Sequence, residues 1–355
     1  MQEQPKIEVL LEEVIRRKAS DLHIQVGIPP TLRVDGALIA VSGIAPITPE
    51  IIETLIFSLL DEQQKEILLK DKEFDFSFAF GDLGRFRANA FHERGNLAVS
   101  LRLIPNEIST IEKLGLPAIV NSFANYPRGL VLVTGPTGSG KSTTLAAMVH
   151  KINQEQAKHI ITIEDPIEYT HKSIKSIVVQ REVHYDTFSF SGALRSALRE
   201  DPDVVLIGEM RDLETIANAI TIAETGHLVF ATLHTNSASQ TVDRIIDVFP
   251  PHQQQQVRSE LSNILMAICS QTLIPIIGGG RIAAAEILVA TPAVRNIIRD
   301  GKTHQLEAVI QTGGEFGMQS MDKTLVGLIK SGSITYDEAR MHAIDIDELD
   351  RLMRA

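Results

Sequence analysis

The sequence has a single cysteine, Cys269, among its 355 residues. One cysteine allows neither an internal disulfide nor a cysteine-based zinc module, and this fits a reducing compartment. No apolar run reaches the ~18–20 uncharged residues of a membrane span, because polar residues 270–272 interrupt the run ILMAICSQTLIPII. The start, MQEQPKIEVLLEEVIRRKAS, is charged and amphipathic and has no apolar core of the kind found in signal peptides. We therefore expect a cytoplasmic protein.

An excess of positive charge is also missing. The formal net charge is −11, which disfavours a general nucleic-acid-binding protein. The hydrophobic content of 44% is typical of a globular chain rather than of a disordered or fibrous one. At roughly 150 residues per domain, the length predicts about two domains.

The pattern of the sequence changes along the chain. The first hundred residues mix one helical pattern, KIEVLLEEVIRRKA, with short alternating strands and turn signals such as DGAL and FGDLGRF. Pro105, Gly115 and Pro117 then mark a linker. From Gly129 onward the apolar runs LVLVTG, HIITIED, VVLIGE and LVFATL alternate with helical patterns, which predicts the parallel sheet of an α/β domain. We predict domains at residues 1–105 and 126–355, the second with a helical C-terminal part, joined by a linker at 106–125.

The segment GPTGSGKS, residues 135–142, fits the phosphate-loop pattern G-x-x-x-x-G-K-[ST] and lies between an apolar strand and a helix. Its glycines let the backbone turn amide hydrogens toward phosphate oxygens, and the helix adds its positive end. Lys141 is expected to reach the β- and γ-phosphates, and the Ser142 hydroxyl to ligate Mg²⁺. The predicted cofactors are therefore ATP and Mg²⁺. The predicted nucleotide-binding residues are Gly135, Pro136, Thr137, Gly138, Ser139, Gly140, Lys141, Ser142 and Thr143.

Two further apolar strands end in acidic residues, in the segments ITIEDPIEY and DPDVVLIGEMRD. At strand ends in an open α/β sheet, such groups face the ligand crevice. Glu209 is therefore expected to act on Mg²⁺ and its water, as a Walker B acid does. The attacking water must be oriented or deprotonated by Glu168 or Glu164, and we prefer Glu168. The alternative is that these acids cap helices and solvate loops.

The segment TGHLVFATLHTNSASQTVDR places His227 and His234 at the two ends of one apolar strand. A zinc site is disfavoured, because a whole strand separates the two histidines and no helix-spaced third ligand accompanies them. At the carboxyl end of the strand, His234 is expected to sense the γ-phosphate and transmit its state. His227 fits a half-buried structural histidine equally well.

Together these motifs resemble the secretion and type IV pilus ATPase superfamily. The Walker A motif GPTGSGKST, the Asp box TIEDPIEY, the Walker B motif LREDPDVVLIGEMRD and the His box TGHLVFATLHTNSA stand in the family's order, and ASDLHIQVGIPPTLRVDGAL is similar to its opening signature. The resemblance implies an α/β fold class, with a PAS-like α+β N-terminal domain followed by a RecA-like P-loop NTPase domain, and a homohexameric ring. It also favours Glu168 as the water-activating acid and Glu209 as the Walker B acid.

The same resemblance assigns a role to arginines in the segment GRFRANAFHERGNLAVSLRLIP. Matched positions in the family approach the phosphates from the N-terminal domain, which nominates Arg87 and Arg102 as catalytic residues. Arg94 and Arg85 are weaker candidates. An arginine suits a phosphate held at a domain or subunit interface. The alternative is a solvated, charged face of a strand.

Within the superfamily, the pilus retraction branch fits best. Pilus extension and type II secretion relatives usually carry a long extra N-terminal domain and a four-cysteine zinc module, and we expect neither here. The segment ATPAVRNIIRDGKTHQL resembles the signature helix of the retraction type, from which Val294, Ile298 and Asp300 depart conservatively.

The implied function is a hexameric ATPase motor that uses ATP hydrolysis to power type IV pilus retraction and twitching motility. The implied partners are further copies of the chain and an inner-membrane pilus platform protein, with the motor peripheral to the membrane at the pilus base and without nucleic acid. An accessory pilus or type II secretion-like assembly ATPase, a ring-shaped nucleic-acid translocase and a regulatory protein with negligible turnover stay open as alternatives.

Overall fold

The structure is a computed structural model, and it describes residues 5–34, 36–81, 83–104 and 108–354. The chain forms two compact units, Met1–Glu107 and Ile108–Ala355. The predicted domain boundary at residue 105 lies outside the described residues. In the described ranges, no helix combines the length and the apolar character needed to cross a membrane.

The first unit is an antiparallel sheet with helices packed on one face. Its elements are α1 (Ile7–Arg16), β1 (Asp21–Gln25), β2 (Thr31–Val34), β3 (Ala37–Ala40), α2 (Pro49–Phe57), α3 (Glu62–Asp71), β4 (Glu73–Phe80), β5 (Gly84–Glu93) and β6 (Asn96–Ile104). The six strands lie in the order β3-β2-β1-β6-β5-β4, and every neighbouring pair is antiparallel.

Alternation along the strands separates a core face from a solvent face in this sheet. In β5, Phe86, Ala88 and Ala90 are fully buried, whereas Arg87 between them is exposed. Since side chains of a strand point to opposite faces in turn, the helices cover one face and the arginines occupy the other. Helix α1 contributes its apolar stripe Ile7, Leu10, Leu11 and Val14 to the same core.

The second unit is a seven-stranded, largely parallel sheet between helices. Its elements are α4 (Val120–Phe123), β7 (Gly129–Thr134), α5 (Lys141–Glu155), β8 (His159–Glu164), β9 (Ile177–Glu182), α6 (Phe190–Ala197), β10 (Val204–Ile207), α7 (Leu213–Glu224), β11 (Leu228–Leu233), α8 (Ala238–Asp247), α9 (Pro251–Ile264), β12 (Leu265–Pro275), β13 (Arg281–Val289), α10 (Pro292–Arg299), α11 (Leu306–Thr312), α12 (Met321–Lys330), α13 (Tyr336–His342) and α14 (Ile346–Arg354). Short 3₁₀ turns lie at Thr303–Gln305 and Gly314–Phe316.

The strand order β13-β12-β7-β11-β10-β8-β9 sets the position of every motif. All strands from β12 to β9 in this order are parallel, and only β13 runs antiparallel to its neighbour. The carboxyl ends of β7, β8, β10 and β11 therefore meet at one edge, and these are the strands that precede the phosphate loop, the Asp box, the Walker B acid and the His box. This is the edge at which open α/β sheets bind ligands.

Both faces of this sheet are covered, as the continuous apolar runs predict. Strands β7 and β11 are buried along their whole length. Residues in the predicted linker also join a core of this unit, namely Ile111, Leu116, Val120 and Phe123. On β12, Cys269 is fully buried, and burial raises the pKa of its thiol to about 12.

Candidate active site

The phosphate loop connects the carboxyl end of β7 to the start of α5. Its first glycine, Gly135, has a φ of 141°, and a Cβ there would lie 2.1 Å from the backbone oxygen of Gln271, so only glycine fits. Gly140, with a φ of 86°, directly precedes α5. The N-terminus of a helix concentrates unpaired amide hydrogens and a partial positive charge, which is what a phosphate group requires.

Lys141, the first residue of α5, is 9% exposed and points its ammonium group back over the loop. Its Nζ donates to the backbone oxygens of Gly135 at 2.8 Å and Pro136 at 3.0 Å. The same Nζ lies 3.4 Å from Nδ1 of His234, the residue that follows β11. The predicted lysine and histidine are therefore in direct contact.

His234 also reaches the Walker B acid. Its Nε2 lies 3.1 Å from Oε1 of Glu209, and Arg211 Nη2 lies 2.8 Å from the other carboxylate oxygen. An ammonium group can only donate, so Nδ1 of His234 accepts from Lys141 and Nε2 carries the hydrogen donated to Glu209. The two motifs that follow β10 and β11 are thus joined to the phosphate loop by one chain of hydrogen bonds.

Burial and neighbouring charges set the pKa values of the groups in this chain of hydrogen bonds. Burial lowers the pKa of Lys141, and the carboxylates of Glu209 and Glu168 act in the opposite direction. Burial alone would raise the pKa of Glu209, but hydrogen bonds from Arg211 and His234 and the positive charge of Arg211 outweigh it and hold that pKa below its usual value. Glu209 is therefore an ionised carboxylate at neutral pH, as a ligand for a divalent cation must be.

The two candidate water-activating acids have different surroundings. Glu164, at the end of β8, accepts at one oxygen from Thr162 Oγ1 at 2.7 Å and from Gln180 Nε2 at 3.2 Å. Burial raises the pKa of Glu164 to about 7. Glu168 is exposed, and its charge acts on Lys141. Glu164 is thus bonded to side chains of β8 and β9, whereas Glu168 is accessible to a water molecule.

Two of the hydroxyl groups in the first turn of α5 belong to the predicted nucleotide site. Ser142 is half-buried, and Thr143 Oγ1 lies 2.8 Å from the hydroxyl of Tyr169 in the Asp box. The Ser142 hydroxyl and the Glu209 carboxylate are oxygen donors of the type that Mg²⁺ prefers.

The second predicted histidine, His227, lies at the opposite end of β11, where its Nδ1 is 3.0 Å from the backbone oxygen of Ile222 near the end of α7.

The predicted arginines lie in the first unit. Arg87 on β5 and Arg102 on β6 are directly opposite each other and exposed. Arg102 Nε donates to Asp21 Oδ1 at 2.8 Å. Arg85 is half-buried on β5, and Arg94 lies in the turn after it. Two like charges at paired positions repel each other, and the carboxylate of Asp21 offsets part of this repulsion. Contact between these arginines and a nucleotide stays a prediction.

Two glutamines that the sequence reasoning did not assign support the loops of this site. Gln271 on β12 donates to the backbone oxygen of Ser139 at 2.7 Å, inside the phosphate loop. Gln180 on β9 donates to the backbone oxygen of Tyr169 at 2.8 Å and thereby holds the Asp box. A signal for Gln271 was present in the sequence, since Ser270 and Gln271 interrupt an otherwise apolar strand.

Comparison with known proteins agrees with this geometry. Residues 3–278 match the family described as type II/IV secretion system protein. The chain is 51% identical over 334 residues, 94% of this chain and 97% of the relative, to the type IV pilus retractation ATPase PilT of Pseudomonas aeruginosa. It is 50% identical over 315 residues, 88% of this chain and 84% of the relative, to a twitching motility protein of Neisseria gonorrhoeae.

Among solved structures, the crystal structure of the pilus retraction motor PilT with bound ADP matches with a TM-score of 0.93 at 50% identity, covering 98% of this chain and 99% of that one. The predicted fold class, an N-terminal α+β domain followed by a RecA-like ATPase domain, is confirmed. The family predicted from the motifs is confirmed as well: the chain belongs to the type II/IV secretion system protein family.

Proposed function

We propose that the chain is an ATP-hydrolysing motor that powers the retraction of type IV pili. The observation that carries this proposal is the hydrogen-bonded chain from Lys141 through His234 to Glu209, which joins the phosphate loop to two neighbouring strand ends. The names of the relatives from P. aeruginosa and N. gonorrhoeae supply the biological setting, pilus retraction and twitching motility.

The residues at the loop fit ATP and Mg²⁺. The loop glycines and the start of α5 present amide hydrogens, and the buried Lys141 adds a cation that donates to two backbone oxygens of the loop and to His234. Ser142 and Glu209 would hold Mg²⁺, which when bound neutralises charge on the β- and γ-phosphates. The related PilT structure contains ADP, which supports a nucleotide at the same loop.

Different side chains of the site have different roles in hydrolysis. Lys141 turns its ammonium group from Gly135, Pro136 and His234 toward phosphate oxygens, and this movement removes the donor from His234 Nδ1. The hydrogen bonding of His234 therefore depends on whether Lys141 is bound to phosphate. The contact between Nε2 and Glu209 transmits this difference to the Walker B acid. Glu168 orients or deprotonates the attacking water, while Glu164 keeps the Asp box in place.

The proposed assembly is a homohexameric ring in the cytoplasm, peripheral to the inner membrane at the pilus base. In such a ring Arg87 and Arg102 of one subunit approach the phosphates, since arginine stabilises the charge that develops in phosphoryl transfer. The ring would act on an inner-membrane platform protein, with no nucleic-acid partner. The acidic net charge of −11 supports the last point.

Lys141→Ala tests the proposal, with Lys151→Ala as a matched control on the same helix. Lys151 is bonded to Glu155 on the helix surface, so its loss is expected to leave hydrolysis unchanged. Phosphate release by Lys141→Ala is expected to fall to background, because the charge that binds the β- and γ-phosphates is lost. Near-normal hydrolysis by this variant would contradict the site, and normal twitching of cells that carry it in place of the wild type would contradict the role in retraction.

A further inference from the structure

A side chain from outside all the nucleotide motifs lies beneath the phosphate loop. Gln271 belongs to β12, the strand beside β7, and is 2% exposed. Its Nε2 donates to the backbone oxygen of Ser139 at 2.7 Å, and its Oε1 accepts from Thr144 Oγ1 at 2.8 Å. One carboxamide therefore bridges the loop and the first turn of α5.

The backbone and side chain of Gln271 also restrict the space for a side chain at the two ends of the loop. Its carbonyl oxygen occupies the space in which a Cβ of Gly135 would lie, and its Nε2 would be 3.2 Å from a Cβ of Gly140. The preceding residue, Ser270, pairs with Thr134 in register, and their hydroxyl oxygens are 2.8 Å apart. The loop thus rests on β12 from its first glycine to its last.

The bond to Ser139 fixes the direction of an amide in the loop. In a planar trans peptide the C=O and N–H bonds point in opposite directions. When the oxygen of Ser139 points inward to Gln271, the N–H of Gly140 points away from β12. We infer that Gln271 is a positioning residue for the nucleotide phosphates: its carboxamide holds the 139–140 peptide so that the loop presents its N–H, and not its carbonyl, to phosphate.

This role needs the donor and the acceptor of the carboxamide together. Leucine would fill a similar volume, but it would leave the Ser139 oxygen and the Thr144 hydroxyl without their partner, and the peptide would be free to turn. Glutamate keeps the shape of the side chain. In its ionised form it presents an oxygen to the Ser139 oxygen, whereas in its protonated form an O–H can replace the lost N–H donor.

The test rests on the proposed ATPase activity for its kinetic part, so nucleotide affinity is measured separately with ADP, which requires no turnover. Gln271→Leu is expected to raise the Kd for ADP and the KM for ATP about tenfold with a smaller change in kcat, since a loop that binds ground state and transition state alike acts on KM. Thr272→Val, one residue along β12 and on its other face, is the matched control and is expected to match the wild type.

Gln271→Glu supplies a readout that a packing role would not give. The measured quantity is the ratio of the Kd of Gln271→Glu for ADP to the Kd of the wild type at the same pH. This ratio is expected to fall at least about threefold between pH 8 and pH 6, because the buried carboxyl takes up a proton and regains a donor. This comparison uses one folded protein at two pH values, so it decides the question even if Gln271→Leu does not fold.

A Kd for Gln271→Leu within twofold of the wild type would overturn the inference. A Gln271→Glu ratio that does not change with pH would overturn it too. If the wild type binds ADP but does not hydrolyse ATP, the proposed function fails while the affinity measurements still decide the role of Gln271.

Discussion

Replacing Glu164 with glutamine is expected to leave ATP hydrolysis largely intact and to stabilise the protein increasingly as the pH rises. Glutamine keeps an oxygen that can accept from Thr162 and Gln180, the two side chains that hold Glu164. It removes a carboxyl group whose charged form is disfavoured by burial. The matched change at the neighbouring acid, Glu168→Gln, is expected to abolish hydrolysis and to have little effect on stability, because Glu168 is exposed.

The size of the stability effect follows from the pKa of Glu164, which burial raises from 4.5 to about 7. Below pH 4.5 the carboxyl is protonated in both the folded and the unfolded chain, so it carries no penalty. As the pH rises through 7, the folded protein must ionise a half-buried group, which costs at most about 3 kcal/mol. The variant avoids this cost, so its advantage in free energy of unfolding grows from about zero near pH 4.5 to about 1–3 kcal/mol above pH 7.

Thermal unfolding of the wild type and both variants between pH 5 and pH 8 measures this difference. The gap in Tm between Glu164→Gln and the wild type is expected to widen by about 2–8 °C over that range. Phosphate release at pH 8 then separates the two acids. A gap that is constant or narrows with rising pH would refute the reasoning about burial, and loss of hydrolysis in Glu164→Gln with activity retained in Glu168→Gln would reverse the assignment of the two residues.

Two further substitutions test the rest of the site. Glu209→Ala is expected to bind ADP with near-normal affinity but to lose hydrolysis, because positioning of the metal and water acts mainly on the transition state. Measurements of equilibrium ADP binding and of single-turnover rates check this. A loss of affinity as large as that of Lys141→Ala would count against the role of Glu209. Arg102→Ala, purified as a folded oligomer, is expected to lose at least about tenfold in kcat, or roughly 1.4 kcal/mol of transition-state stabilisation. Arg33→Ala is its control, because Arg33 flanks the same carboxylate, Asp21, at 3.8 Å; equal activity of the two arginine variants would exclude a specific role for Arg102.

The parts of the site that are local in sequence could be predicted from sequence alone. Each of the four apolar runs is buried, and each is followed directly by the polar residues of its motif, so the strand and its functional end lie within one short segment. Parallel strands bring those ends to one edge whatever their order. The sequence therefore predicts that Lys141 and His234 lie at the same edge, whereas their direct contact depends on β11 lying beside β7.

The support from β12 and β9 could not be predicted in this way. Gln271 and Ser139 are 132 positions apart, and their contact exists only because β12 lies next to β7 in the sheet. Periodicity does not state which strands are neighbours, and a buried apolar run such as that of β12 fits a strand or a buried helix equally well. Gln180 is similar, since it is placed by the position of β9 at the edge of the sheet.

The burial of Cys269 has a practical consequence for following this protein in motion. The thiol is fully buried, and with a pKa of about 12 it is almost entirely protonated at the pH of common labelling reactions. Because the thiolate is the reacting species, maleimide reagents are expected to leave this residue unmodified in the folded protein. Cysteines introduced one on each unit would then accept fluorophores while Cys269 stays unlabelled, so the distance between the units can be recorded during turnover without removal of the native thiol.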